Sequence, residues 1–314
     1  MGMYCFGIDV GGTSVKCGLF RTDGTLLEKW EIPTRTENNG EEILSDIAKT
    51  IDAKIQEKGL DKADIDGVGI GLPGPVNDNG EIACAVNLYW GYKHVSKELG
   101  ELTGLVATAG NDANVAALGE AWKGAAEGAA NVALLTLGTG VGGGIILNNK
   151  IVSGTNGAGG EVGHMPVNIH ETEACNCGNK GCLEQYASAT GIVRMAKKEL
   201  AETDEESVMR SANPLTAKDV LDAFKAGDAV GVRTMEKVGE ILGAAIGTIS
   251  CVMDPEAVVI GGGVSKAGQP LIDVIQKYYK MHSFRPSKNT PIVLATLGND
   301  AGIYGAARMV ISEE

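Results

Sequence analysis

Apolar residues recur along the chain in two alternating patterns, short strand-like runs and longer stretches at helical spacing, and that alternation predicts an α/β protein. Residues 4–10 and 14–20 read as two strands around Gly11-Gly12. Ile43, Leu44, Ile47, Ile51 and Ile55 fall on one helical face, and Gly59 stands where such a helix stops. Residues 65–72 read as a buried strand ended by Pro73-Gly74-Pro75, 114–122 as a helix, and 132–137 and 142–147 as strands. Further on, the pattern predicts helix over 182–200, 219–224, 230–252 and 269–281, strand over 257–260 and 292–295, and a closing helix from residue 300.

A weak repeat runs through this pattern. Gly7-Ile8-Asp9-Val10-Gly11-Gly12-Thr13 and Leu134-Leu135-Thr136-Leu137-Gly138-Thr139-Gly140 share one plan: apolar strand, Gly/Thr turn, second apolar strand. Two such hairpins, one per half, lead us to expect two related α/β domains facing each other across a cleft. The length of 314 residues also suits two domains, each able to bury its own core.

Charge then narrows the partners. With 27 Lys+Arg against 40 Asp+Glu the net charge is −13, which argues against nucleic acid or an anionic membrane surface. No apolar run has the length of a membrane span, and Asp9 interrupts what would be the apolar core of a secretory signal, so a cytoplasmic protein is expected. Glycine, at 45 residues, is about twice as frequent as usual, and the excess clusters beside strands where the backbone turns or something approaches closely.

Several clusters carry chemistry. Gly138-Thr139-Gly140-Val141-Gly142-Gly143 has the glycine spacing of a dinucleotide fingerprint, but strand follows it where that fingerprint needs a helix. A Gly/Thr hairpin still offers N–H groups and hydroxyls to phosphate. Asp9, at the end of an apolar strand, needs a partner, and Mg²⁺-bound water at a phosphate supplies one, although a turn-capping Asp is equally ordinary there. Asn111-Asp112 opens a helix, where either residue caps well; a carboxylate held ionised at that position also accepts a proton from a hydroxyl. Cys175, Cys177 and Cys182 form a compact thiolate cluster, and a Cys3His set typical of structural zinc is completed by His164 or His170, which spacing alone does not separate. Glu161, in the glycine-rich stretch before His164, and Glu184, just after Cys182, come near the same ion if it ties the loop down, and such a ring of carboxylates and imidazole suits sugar hydroxyls.

Asp9-Val10-Gly11-Gly12-Thr13, the hairpin Leu137 to Gly144, Glu161-Val162-Gly163-His164 and Cys175-Asn176-Cys177-Gly178-Asn179-Lys180-Gly181-Cys182-Leu183-Glu184 together resemble the ROK family of sugar kinases, within it most the bacterial ATP-dependent glucokinases. The resemblance implies the two-domain actin-like ATPase (ribonuclease H-like) fold, with residues 1–115 and a returning helix 299–314 forming the small domain and 116–298 the large one. It implies transfer of phosphate from ATP to the 6-hydroxyl of glucose, with N-acetylmannosamine, N-acetylglucosamine, fructose or allose as alternative acceptors. Asp112 would be the general base, and Asn111, Glu161, His164 and Glu184 would bind sugar, with Gly74 and Asn87 lining the pocket. Asp9, Gly11, Gly12, Thr13, Gly138 and Thr139 would hold Mg²⁺·ATP phosphates, and Gly261, Gly262 and Gly263 would lie under the adenosine. His164 would join Cys175, Cys177 and Cys182 on Zn²⁺. A homodimer or dimer of dimers is implied. The sugar-sensing repressors of the family carry an N-terminal DNA-binding domain, for which a first strand at Tyr4 leaves no room. Tyr89 stands where a small residue is more usual, which makes sugar preference the open property.

Overall fold

The computed structural model describes residues 2–311. The chain forms two compact units, Met1–Ala130, Gly144–Gly160 and Thr296–Glu314 in the first, Asn131–Gly143 and Glu161–Ala295 in the second.

The first unit opens on a meander of β1 (Tyr4–Val10), β2 (Ser14–Arg21) and β3 (Leu26–Pro33), in which Asp9 pairs with Lys16 and Cys17 with Trp30. A distorted turn, α1 (Glu37–Gly40), leads into α2 (Ile43–Lys58), whose buried face is the predicted set Ile43, Leu44, Ile47, Ile51 and Ile55. Gly59 ends it at φ 62°, a left-handed conformation that a Cβ would strain. β4 (Ile65–Leu72) runs parallel to β1, followed by the small hairpin β5 (Glu81–Ile82) and β6 (Lys93–His94). Next come α3 (Val95–Thr103), β7 (Ala107–Asn111), parallel to β4, and α4 (Asp112–Lys123). The sheet order is β3-β2-β1-β4-β7, and Phe6, Ile8, Ile47, Ile70, Leu72 and Leu99 are buried in its core.

The chain continues through β8 (Val132–Leu137), β9 (Val141–Leu147) and β10 (Lys150–Ile151). The helical stretch holds α5 (Glu184–Ala187), α6 (Ala189–Glu202), α7 (Ala217–Lys225) and α8 (Ala229–Met253), and then β11 (Ala257–Gly261), α9 (Gln269–His282) and β12 (Ile292–Leu294) follow. The second sheet has the order β10-β9-β8-β11-β12, the same connectivity as the first: two strands added on one side by short turns, two parallel strands on the other. The hairpin repeat in the sequence is therefore the visible part of a repeated topology.

The single helix expected over 182–200 is two. Ser188 is extended (ψ 168°); its Oγ accepts from Gly191 N–H at 2.9 Å and donates to the Glu184 carbonyl at 2.7 Å, ending one helix and capping the next. Gly191 permits the sharp return, since a Cβ there would lie 2.8 Å from the Gln185 carbonyl carbon. The closing helix is α10 (Ala301–Met309); of the expected 299–314, residues 312–314 lie outside the described residues. α10 packs on α4, β1 and β4, and only glycine fits the contact: a Cβ on Gly69 would stand 1.7 Å from the Ala306 carbonyl oxygen, and one on Gly305 1.7 Å from that of Val115. Position 115, expected as a domain boundary, lies inside α4, and α4 belongs whole to the first unit. Residues 144–160 join that unit as well, through buried Asn114, which donates to the Gly159 carbonyl at 3.0 Å and accepts from Ile145 N–H at 3.3 Å. Among the described residues no helix is long and apolar enough to cross a membrane.

Candidate active site

In the first unit the residues singled out lie at the C-terminal ends of β1, β4 and β7, where parallel strands hand over to loops and ligands of α/β proteins bind. Asp9, one residue from the end of β1, has Lys16 Nζ at 3.9 Å, and burial raises its carboxyl above the usual range, with Lys16 opposing the rise. α10 comes so near that a Cβ on Gly302 would stand 2.6 Å from Asp9 Cγ. The following turn is exposed and tied down at its edges: Gly11 N–H donates to the Ser14 carbonyl at 3.0 Å, and Thr34 Oγ1 donates to the Gly11 carbonyl at 2.7 Å. At Gly12 nothing in the chain lies within 4 Å of the place a Cβ would take, so the fold's own packing does not demand glycine, and the backbone there is open to close approach.

β7 delivers Asn111 and Asp112 to the start of α4, and here the two divide the work. Asn111 is the cap: Oδ1 accepts from Ala113 N–H at 3.0 Å and Asn114 N–H at 3.1 Å, while Nδ2 donates to the Gly74 carbonyl at 3.1 Å. Asp112 Oδ1 accepts from Ala113 N–H at 2.8 Å, and the side chain is only half-buried. Its carboxylate sits on the positive end of a twelve-residue helix that already has its cap. Gly74 is joined to this group by Asn111. Asn87 is exposed in the 3-10 turn Val86–Leu88, next to Tyr89, which is itself exposed at φ 58°.

In the second unit the turn after β8 is anchored from α6: the Gly138 carbonyl accepts from Ala189 N–H at 2.7 Å and the Thr139 carbonyl from Thr190 Oγ1 at 3.0 Å. Gly138 and Gly263 repeat the observation at Gly12, with no chain atom closer than 4.0 Å to a Cβ. Gly261 ends β11 and is buried; Gly262 has φ 82° and turns against Leu137. A cavity of about 720 Å³ begins at Thr139 and is lined by Thr190, Val193, Arg194, Lys197 and Leu215. A neighbouring one of about 270 Å³ is lined by Ala217, Leu221, Gly263 and Val264. Thr190, Lys197 and Leu215 were not anticipated from sequence, because the break at Ser188 that turns Thr190 toward the hairpin hides inside a helical period.

The ligand atoms of His164, Cys175, Cys177 and Cys182 all lie within 4.8 Å of one another. His170 is exposed, apart from this group, with its backbone N–H on Asn168 Oδ1. Gly178 (φ 89°) and Gly181 (φ 74°) make the two sharp turns that bring the thiols together. Sulfur ligands at ~2.3 Å from a tetrahedral zinc stand about 3.8 Å apart; Cys177 Sγ and Cys182 Sγ are 3.7 Å apart, and Cys175 Sγ is 3.9 Å from His164 Nδ1. Burial pushes the Cys182 thiol up to about 12 and raises Cys175, while the Asn179 backbone N–H lowers Cys177. Thiols crowded in this way lose their protons together when a cation joins them. The donor set fits zinc. Glu184 Oε1 lies 3.6 Å from Cys175 Sγ, and Glu161 is exposed at the start of the short turn that carries His164. The loop is fastened to α5 and α6 by Glu171, which accepts from Tyr186 Oη and Arg194 Nη2, each at 2.6 Å; these two bonds hold its carboxyl down at about 2.

Two sheets of identical connectivity, each with a glycine turn after its first strand, and a Cys3His loop define a two-domain α/β protein of the actin-like ATPase fold. The sequence model of the ROK family matches residues 5–313, and the chain belongs to that family. It is 42% identical over 313 residues to a glucokinase of Halalkalibacterium halodurans, covering 98% of this chain and 95% of that one. Among solved structures it is similar to a ROK hexokinase from Thermus thermophilus (30% identity, TM-score 0.81, covering 98% and 97% of the two chains). It is also similar to a ROK family glucokinase from Streptomyces griseus in complex with glucose and AMPPNP (32% identity, TM-score 0.72, 98% of both).

Proposed function

We propose that the chain is an ATP-dependent hexose kinase that transfers a phosphoryl group to the 6-hydroxyl of glucose. The observation that carries this reading is the 42% identity to a glucokinase over 98% of the chain. The geometry of each unit supplies chemistry to match. Asp112, already served by one backbone N–H and set beside a cap that needs nothing more from it, takes the proton of the attacking hydroxyl. Asn111 keeps one amide hydrogen beyond its bond to Gly74 for a neighbouring hydroxyl, and Gly74 and Asn87 border the sugar. On the second unit, Glu161, His164 and Glu184 bind sugar hydroxyls, and His164 with Cys175, Cys177 and Cys182 holds a structural zinc ion.

The turns at Gly11, Gly12 and Thr13 and at Gly138 and Thr139 present bare backbone to phosphate oxygens. Asp9 holds the waters of Mg²⁺, which when bound neutralises charge on the phosphates. Gly261, Gly262 and Gly263 lie under the adenosine, and the cavity from Thr139 to Leu215 gives it room. Phosphoryl transfer asks little covalent help of the protein, so a weak base in the right place suffices. The same reading makes this a cytoplasmic enzyme that works as a homodimer or dimer of dimers.

The test is ADP release from purified protein with Mg²⁺·ATP and glucose, fructose, N-acetylglucosamine, N-acetylmannosamine or no sugar. Turnover with glucose well above the others is expected. Preference for another sugar would move the specificity to the loop of Asn87 and Tyr89, and absence of any sugar-dependent release would end the kinase reading.

A further inference from the structure

The zinc loop and the glycine hairpin meet around Val141, which follows directly on Gly138-Thr139-Gly140. Its N–H donates to Glu184 Oε2 at 3.1 Å. Its carbonyl is backed by Gly163, where a Cβ would stand 1.9 Å from the Val141 oxygen. Gly140 is pressed on the same carboxylate, since its Cβ would lie 2.1 Å from Glu184 Oε2. Both gripping residues are neighbours of the metal ligands. Gly163 adjoins His164, and the other oxygen of Glu184 lies 3.6 Å from Cys175 Sγ. Val141 is buried, so its N–H has no water to turn to if the carboxylate leaves.

We infer that Glu184 is a positioning residue through which zinc occupancy of the Cys3His cluster sets the affinity of the Gly138–Gly140 turn for the phosphates of the nucleotide. The inference rests on reading the cluster as a zinc site and the turn as a nucleotide site, and it concerns the donor rather than the sugar. With the ligands pinned, Gly163 and Glu184 hold Val141 from both sides and the turn stands ready. Without the ion, the 161–184 loop is freed from its cross-link, and a nucleotide must bear the cost of ordering the turn.

Coupling of this kind is reciprocal. The experiment is calorimetric titration of Mg²⁺·ADP, without sugar, into zinc-loaded and chelator-stripped full-length protein. It is paired with competition of the loaded protein against a chromophoric zinc chelator, with and without saturating ADP. Stripping is expected to weaken ADP by about tenfold, and ADP to strengthen zinc retention by the same factor, within the usual range of such couplings. Glu184→Ala should abolish both effects, and Glu184→Gln, which keeps an oxygen for Val141 N–H, should restore most of them. Stoichiometric zinc and measurable ADP binding that ignore each other overturn the inference and leave the underlying reading intact. Absence of zinc, or of ADP binding in both forms, overturns that reading and the coupling with it. The chelator competition uses folded, loaded protein throughout, so loss of structure on stripping does not blunt it.

Discussion

At the scale of single residues, adjacent polar side chains at a helix start have separable duties. Asn111 accepts from two N–H groups and donates to Gly74, which accounts for the cap in full. Asp112 is therefore not the cap; its bond to Ala113 N–H at 2.8 Å is one that an asparagine oxygen can accept as well. Asp112→Asn is accordingly expected to keep its melting temperature and its sugar affinity while kcat falls by about 10²–10⁴-fold, the usual worth of a positioned base. Sugar binding by calorimetry and steady-state ADP release check the two halves separately; near-normal kcat would remove Asp112 from the chemistry. The bare positions at Gly12, Gly138 and Gly263 make the converse point. There neither a positive φ nor a neighbouring chain atom calls for glycine, and the bare backbone leaves room for a ligand to approach it.

At the scale of elements, the helix α10 depends on having no side chain where it crosses its neighbours. Gly305 lies where a Cβ would sit 1.7 Å from the Val115 carbonyl oxygen of α4, a backbone atom that cannot swing away. Gly305→Ala should cost about 1–3 kcal/mol or more by overpacking, read as a lower urea midpoint at unchanged slope; an unshifted midpoint would mean the two helices do not cross this closely. Elements with a clear period were legible in the sequence: β1, α2, β4 and β8 sit where the apolar pattern puts them. Two of the five strands in the first sheet were not. β7 is Ala-Thr-Ala-Gly-Asn, too small in its side chains to show a strand period, and β3 alternates half-buried with exposed positions at a sheet edge. The loss mattered for the site, since β7 is what carries Asn111 to its position. Motif residues with unusual chemistry, the thiols and the glycine turns, stood out at once, whereas Thr190 and Glu171 act through a helix break and a side-chain clamp that no local spacing encodes.

For the molecule as a whole, the excess of acidic groups and the way they are held decide how it meets acid. With a net charge of −13, partial protonation at first relieves self-repulsion. Against this stand carboxyls held below their ordinary range by native partners, among them Asp46 by Arg35 and Glu171 by Tyr186 and Arg194, the last at about 2. A carboxyl whose folded pKa lies below its unfolded one contributes stability that is complete above the unfolded value, ~4.3 for Glu, and is lost as pH falls through the folded value. For Glu171 the loss therefore runs from about 4.3 down to about 2. Asp9, raised by burial, works in the opposite sense and favours the folded state once protonated. Because Glu171 ties the stretch before the thiol cluster to α5 through Tyr186 and to α6 through Arg194, its share should be visible in global unfolding. Urea midpoints measured from pH 7 to pH 2 should be level above pH 5 and then fall for the parent. Glu171→Gln should start lower at pH 7 and descend less steeply, so that the two curves converge near pH 2. Parallel curves over that window would mean that the Glu171 clamp is also present in the unfolded chain, or that it contributes nothing to the fold.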